Sequence, residues 1–470
     1  MSLIVSLVLP VAGLLAGCNG DKSGDSGGVD DDSGDTGVTA VDPNHDDLSM
    51  PAEPTLDPDS FTSAAECADC HPDHYAQWSR SMHAYAMVDP VYQALVGIRQ
   101  ADLDGTQDQF CTQCHSAIGT RGGEIVPGFS FEDLSPIVME GITCEACHKV
   151  ARIDRVYNSG HVLDPEGPIR GPLTDPEPSS FHNAAGMEYS DIFESAEFCG
   201  ACHDVVEISG LPLERPYEEW TTSPGRDEGQ TCQTCHMPES SGYAATDTST
   251  VRTLHDHSFV GVDVPLLGGW ATPDEVEQIR ARIEELLATA ATVSLSLPDQ
   301  VVAGEQLDVV VDIRNDISAH NLPTGSTFLR QVWLEVIATD ALGTRLYATG
   351  DLDANGDLRD YWSSLDQYGD DDLISLSSGF IDAHGQPTLF SHLATEHTSH
   401  ALSPLYERTY TLFVPTEGAA PGPITVSARL RLRPFPPYLL RLLELDELID
   451  KLEIYDLDAV VGEVSVVPSE

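Results

Sequence analysis

The sequence predicts a mixed fold: a mainly α-helical and irregular region, then an antiparallel β-sandwich-like domain. Three observations carry that reading. A C-x-x-C-H pentapeptide occurs five times between residues 67 and 236. After residue 273 a helix-period stretch gives way to segments in which apolar and polar residues alternate between Gly, Pro and Asn. The chain has 470 residues, which at about 150 per domain is more than one unit. Charge narrows the partners. Lys and Arg number 23 against 77 Asp and Glu, a formal balance of −54. Such a surface repels phosphate backbones, which excludes nucleic acid, and it favours protein partners with basic docking patches.

Taken in order, residues 1–17 read as a lipoprotein signal peptide. Residues 3–16 form an uncharged apolar run that fits an export signal and is short for a membrane span. The sequence Leu15-Ala16-Gly17-Cys18 resembles a bacterial lipobox, and Cys18 is the one cysteine of 11 left over by the repeated motifs. Cys18 is therefore the expected lipidation site and membrane anchor. The residues before the apolar run carry no Lys or Arg, which departs from the usual signal. Residues 18–60 read as an acidic disordered tether, with 12 acidic residues and one Lys and too little apolar surface to fold. An exported bacterial lipoprotein on the periplasmic face or outer surface of the outer membrane is the expectation.

The chemistry lies in residues 61–270. The motifs are Cys67-x-x-Cys70-His71, Cys111-x-x-Cys114-His115, Cys144-x-x-Cys147-His148, Cys199-x-x-Cys202-His203 and Cys232-x-x-Cys235-His236. This is the attachment signature of c-type haem. Cysteines three apart lie on one face of a helical turn and can form thioethers to two haem vinyls. The following histidine then projects under the iron as proximal ligand. A structural zinc site would want four ligands without an obligatory histidine, and disulfides leave the histidine unexplained. Five covalent haem c groups are expected. Under 40 residues per haem forces the macrocycles to form the core and to lie close together, as electron hopping requires.

The second axial ligand decides whether an iron relays electrons or binds substrate. The chain has only three lysines (Lys22, Lys149 and Lys451) and no C-x-x-C-K motif, which argues against a lysine-ligated haem. Within the haem region the histidines outside the motifs are His74, His83, His161, His182, His255 and His257. His83 falls on an expected helix in which Tyr75, Trp78 and Met82 keep helical spacing. Continuous, that helix would place His83 about 18 Å from His71, within reach of a neighbouring haem rather than its own.

The first motif followed by His-x-x-x-Trp and Ser-Met-His-Ala resembles the multihaem c-type cytochromes of the c-552 and c-554 kind. The phrases GITCEACH, EFCGACHD, EEW…TCQTCHMP and HSFVG, across residues 61 to about 265, resemble the same group. The resemblance implies a multihaem cytochrome c domain with electron carriage as its role. It implies His83, His182, His257 and His161 as distal metal ligands beside the proximal His71, His115, His148, His203 and His236. It also points to His320, in AHNLPTG, as a fold-back ligand from the C-terminal domain. His74 and His255 are near duplicates of better-placed histidines.

Residues 271–292 read as a linker helix, with Ile279, Ile283, Leu286 and Leu287 on one face and Pro near its start. Residues 293–470 carry the strand patterns LDVVVDIRN, FLRQVWLEVIATD, RLYATGD, RTYTLFV and ITVSARLRL, then a late helix in PYLLRLLELDELIDKL and a last strand. The stretch Asp351–Asp357 resembles a calcium loop, but its twelfth position is Trp362, so an Asn-Gly turn is the better reading. Two alternatives to a carrier stay open. One is a haem oxidoreductase acting on a small nitrogen or sulfur compound at an open iron, with Arg152, Arg155 and Tyr157 as candidates beside it. The other is a subunit of a haem filament.

Overall fold

The computed structural model describes residues 54–469, except 177, 178, 180, 183 and 184. The expected signal peptide, Cys18 and the tether as far as residue 53 lie outside the described residues. The end of the expected tether is docked rather than loose. The backbone N–H groups of Thr55 and Leu56 donate to the Arg121 carbonyl, and Pro58 is buried at the start of a short helical turn.

The first half is built from short helices and loops. Each motif sits on one helical turn, because the cysteine spacing leaves the backbone a bond from the histidine N–H to the carbonyl four residues back. His71 N–H donates to Cys67 O and His203 N–H to Cys199 O, each at 2.8 Å. The helix expected to run through His83 is interrupted. It divides into Pro72–Trp78 and Met82–Tyr85, and the Ser81 side chain caps the second piece by accepting from the Ala84 N–H.

The linker helix spans Pro273–Leu287. Thr272 and Glu275 close a reciprocal capping box at its start, and Pro273 occupies the first turn, where a missing N–H costs nothing. Ile283 and Leu287 are buried on one face.

Two sheets follow. The larger orders its strands Gln300–Val302, Tyr455–Val467, Pro423–Arg433, Gln331–Thr339 and Arg345–Thr349, with Ile374–Ser375 also pairing on Gln331–Thr339. It is antiparallel except where Gln300–Val302 runs parallel to its neighbour. The smaller is antiparallel and orders Glu407–Pro415, Gln306–Asn315 and Ala291–Ser296. Alternate residues of both sheets point into one apolar cluster: Val309, Val311 and Ile313 with Val332, Leu334, Val336, Val426, Ala428 and Leu430. The period-2 pattern read from the sequence is therefore the pattern of the core. Val91 and Leu266 from the first half join the same cluster, as do Ile283 and Leu287 of the linker helix. Leu334→Ala, at a fully buried position paired with Leu430, is expected to lower unfolding free energy by about 2–5 kcal/mol. The midpoint of denaturant unfolding reads that loss.

The late helix is shorter than the Leu-rich stretch suggested. It ends at Leu442, and a separate helical turn begins at Asp446; Glu444 between them has φ +59°. In the stretch resembling a calcium loop the carboxylates already have partners. Asp351 pairs with Arg345 and Arg359, Asp357 with Arg441, and Asp353 accepts from the Asn355 and Asp357 N–H groups.

Candidate haem-binding core

One cavity of about 1680 Å³ runs through the first half and against the sheets. All ten motif cysteines and all five motif histidines line it. Protein interiors are otherwise close-packed, so a space this large, walled by this donor set, fits bulky groups that the motifs would hold.

The motif histidines are already oriented. Nδ1 lies 2.5 Å from the Ala244 carbonyl in His71, 3.1 Å from Ala86 O in His115, 2.6 Å from Arg170 O in His148 and 2.8 Å from Val260 O in His236. An Nδ1–H spent on a backbone carbonyl fixes the tautomer and leaves Nε2 to bind metal. The second histidines complete the arrangement. An imidazole nitrogen bonds a first-row metal at about 2 Å, and adding about 1.2 Å from nitrogen to ring centre puts two rings that share one ion roughly 6–6.5 Å apart. The observed separations are 6.3 Å for His71–His182, 6.1 Å for His83–His203, 6.3 Å for His148–His257 and 6.4 Å for His236–His320.

Burial keeps three of the second rings neutral, the form that ligates metal. It pushes His83 and His257 down to about 3 and His320 to about 4. The Nδ1 atoms of His83 and His182 are buried and have no hydrogen-bond partner among the described residues.

His115 differs from the other four. Its ring is stacked face to face on Tyr92 at 3.8 Å and 4°, and among the described residues no second histidine faces it across the cavity. His161, expected as a distal ligand, does not take that place. Its Nε2 lies 2.7 Å from the Phe198 carbonyl and its Nδ1 3.9 Å from Cys202 Sγ. The strand His161–Leu163 pairs with Val150–Ile153 and lays the imidazole on the Phe198 ring at 4.7 Å, which aims both nitrogens at protein atoms. His74 sits edge-on between His71 and His257, and His255 Nδ1 lies 2.9 Å from Met237 O. Arg152 pairs with Asp154, and Arg155 lies over the Tyr157 ring while bonding loop carbonyls; none of these three residues lines the cavity.

The motifs also touch one another. Cys67 and Cys144 lie near enough to perturb each other's titration, as do Cys114 and Cys202, and Cys199 and Cys232. Cys147 and Cys202 lie close enough to interact electrostatically. The fourth motif therefore borders the second, third and fifth, and the first borders the third. Tyr92, whose ring packs on His115, and Phe259, whose ring packs on His83 and His257, belong to no motif legible in the sequence.

Residues 66–149, which hold the first three motifs, match the family described as cytochrome c554 and c-prime. No curated protein sequence matches the chain. Among solved structures the fold is similar to a penta-haem cytochrome c552 from Thermochromatium tepidum, with a TM-score of 0.62 and 22% identity over 86% of this chain and 99% of that one. A CARDB domain from Pyrococcus furiosus is also matched over 38% of this chain, with a TM-score of 0.17 and 13% identity. Residues 66–149 are thus similar to the cytochrome c554 family across three motifs, and the chain shares its fold with a multihaem cytochrome.

Proposed function

We propose that the chain is a pentahaem electron carrier, exported and lipid-anchored through Cys18, on the periplasmic face or outer surface of the outer membrane. It passes electrons between redox proteins that present basic docking patches to its acidic surface. One observation carries the reading: four motif histidines each face a second histidine at 6.1–6.4 Å in a cavity lined by all ten motif cysteines. The haems supply one-electron Fe(III)/Fe(II) cycling. The chain's residues hold the axial geometry fixed between the two states, so little reorganisation accompanies transfer. The two sheets, which we read as a β-sandwich, bring His320 to the fifth motif.

A second reading rests on His115. His115 has Tyr92 stacked on its ring and, among the described residues, no histidine opposite; a haem held by the second motif would then keep a face for a small nitrogen or sulfur compound. Electron paramagnetic resonance of the oxidised holoprotein, integrated against measured haem content, tests both readings. Four low-spin haems and one high-spin haem are expected. A high-spin signal indifferent to nitrite, hydroxylamine and sulfite favours the carrier; one that shifts on adding any of them turns the assignment towards an oxidoreductase. Five high-spin haems would sink the carrier reading.

A further inference from the structure

The segment His255–Val260 is pinned at nearly every residue. His257 donates its backbone N–H to Gln77 Oε1 at 2.9 Å and sets its Nδ1 2.8 Å from the His255 carbonyl. Arg282 of the linker helix reaches Asp256 Oδ2 and Ser258 Oγ, each at 2.5 Å. The Val260 carbonyl receives His236 Nδ1. Between these fixed points Phe259 has φ +47°, a left-handed conformation rare for a bulky residue. Such a backbone persists only where its surroundings over-determine it, and it clusters at functional sites. Its consequence here is the placement of one ring. Phe259 lies 4.3 Å from the His83 ring at 54°, and 5.7 Å from the His257 ring at 77°. His83 faces the fourth motif's histidine and His257 faces the third's.

We propose that Phe259 is a positioning residue shared by two haems, a single ring wedged between the distal imidazoles of the third and fourth motifs that sets the plane of each. The inference rests on the reading of His83 and His257 as distal ligands. Edge-to-face and tilted aromatic contacts of this kind have preferred geometries and are worth more than the apolar area they bury, so the ring resists rotation of either imidazole. The same ring excludes water from the space between two haems that exchange electrons. The angle between axial imidazole planes governs the anisotropy of a low-spin ferric signal. The observed planes, 40° apart at His83–His203 and 23° at His148–His257, are therefore readable in solution.

The test is made on the oxidised holoprotein. Signals of the two haems are assigned by their conversion to high spin in His83→Ala and in His257→Ala. Phe259→Leu is expected to retain the full haem content and to shift those two low-spin signals while the other low-spin signals stay in place. Phe259→Gly, which relieves the backbone but also removes the ring, shifts the same two. Phe259→Tyr, which keeps the ring, returns both to their wild-type positions. Unmoved signals, a shift in only one of the two, or a shift in all low-spin haems overturns the shared role. If His83→Ala or His257→Ala leaves every haem low-spin, the distal-ligand reading fails instead, whatever Phe259 does.

Discussion

His320→Ala is expected to leave haem content unchanged and to convert one low-spin haem to high spin, with added imidazole restoring the low-spin signal. The expectation follows from how the ring is held. His320 keeps its Nδ1 2.8 Å from the Asn321 carbonyl, lies 6.4 Å from His236 and is partly buried. The segment that carries it is fastened to the first half independently of the ring. Gly225 N–H donates to Ser318 O at 2.8 Å, and Ser318 Oγ donates to Gln230 Oε1 at 2.8 Å. Glu219 accepts from Asn321 N–H at 3.1 Å and from Thr324 Oγ1 at 2.6 Å. Removing the imidazole therefore opens the iron without releasing the segment, and the vacated space admits a free imidazole. Spin quantitation before and after imidazole checks both halves of the expectation. An unchanged low-spin count would remove His320 from the axial set.

The largest loss of stability is expected from Glu207→Ala. Arg99 and Glu207 have side chains 5% and 3% exposed and are joined by two hydrogen bonds of 2.9 and 2.6 Å. Ser391, from the sheet-bearing half, adds a third bond to Glu207 at 2.9 Å, so the pair ties the two halves together beside the second motif. Breaking a buried pair strands an uncompensated charge, and about 3–5 kcal/mol is the usual cost. Replacing both residues at once by apolar ones of similar volume is expected to cost far less, because no charge is then left behind. Burial raises the Glu207 pKa, but the Arg99 hydrogen bonds and charge outweigh it and hold the carboxyl below its ordinary value. A depressed folded pKa means that the stabilisation is present above the ordinary glutamate pKa and fades as pH falls through the lowered one. Denaturant unfolding of wild type, Glu207→Ala and the double apolar variant, at neutral and acid pH, separates these contributions.

Much of this site was legible because covalent attachment imposes a rigid local spacing. Five cysteine pairs and their histidines could be placed from the chain alone, and the resemblance named His83, His182, His257 and His320, each of which lies opposite a motif histidine. What stayed hidden was decided by tertiary packing. His161 is named by the resemblance as a distal ligand, whereas a strand pairing lays its ring on Phe198, and nothing near residue 161 announces that pairing. The interruption after Trp78 was missed because Tyr75, Trp78 and Met82 keep helical spacing across it; Ser81, a capping residue, was the available signal. The Leu-rich stretch from Tyr438 suggested one long helix, yet the left-handed backbone at Glu444 divides it. Strand alternation fared better, since residues such as Val309, Val311 and Ile313 can bury only one face at a time. Tyr92 and Phe259 were invisible for a simpler reason. An aromatic residue far along the chain from the histidine it packs on looks like any other core residue.

The contacts of the fourth motif with the second, third and fifth, and of the first with the third, have a topological consequence. Five sites strung in a line have two termini, and severing any interior link isolates part of the set. Joined as they are here, the sites form a forked graph with three termini, at the first, second and fifth motifs. Damage at a terminus costs one site and leaves the other four connected, whereas loss of the site at Cys199 and Cys202 splits the graph into three fragments.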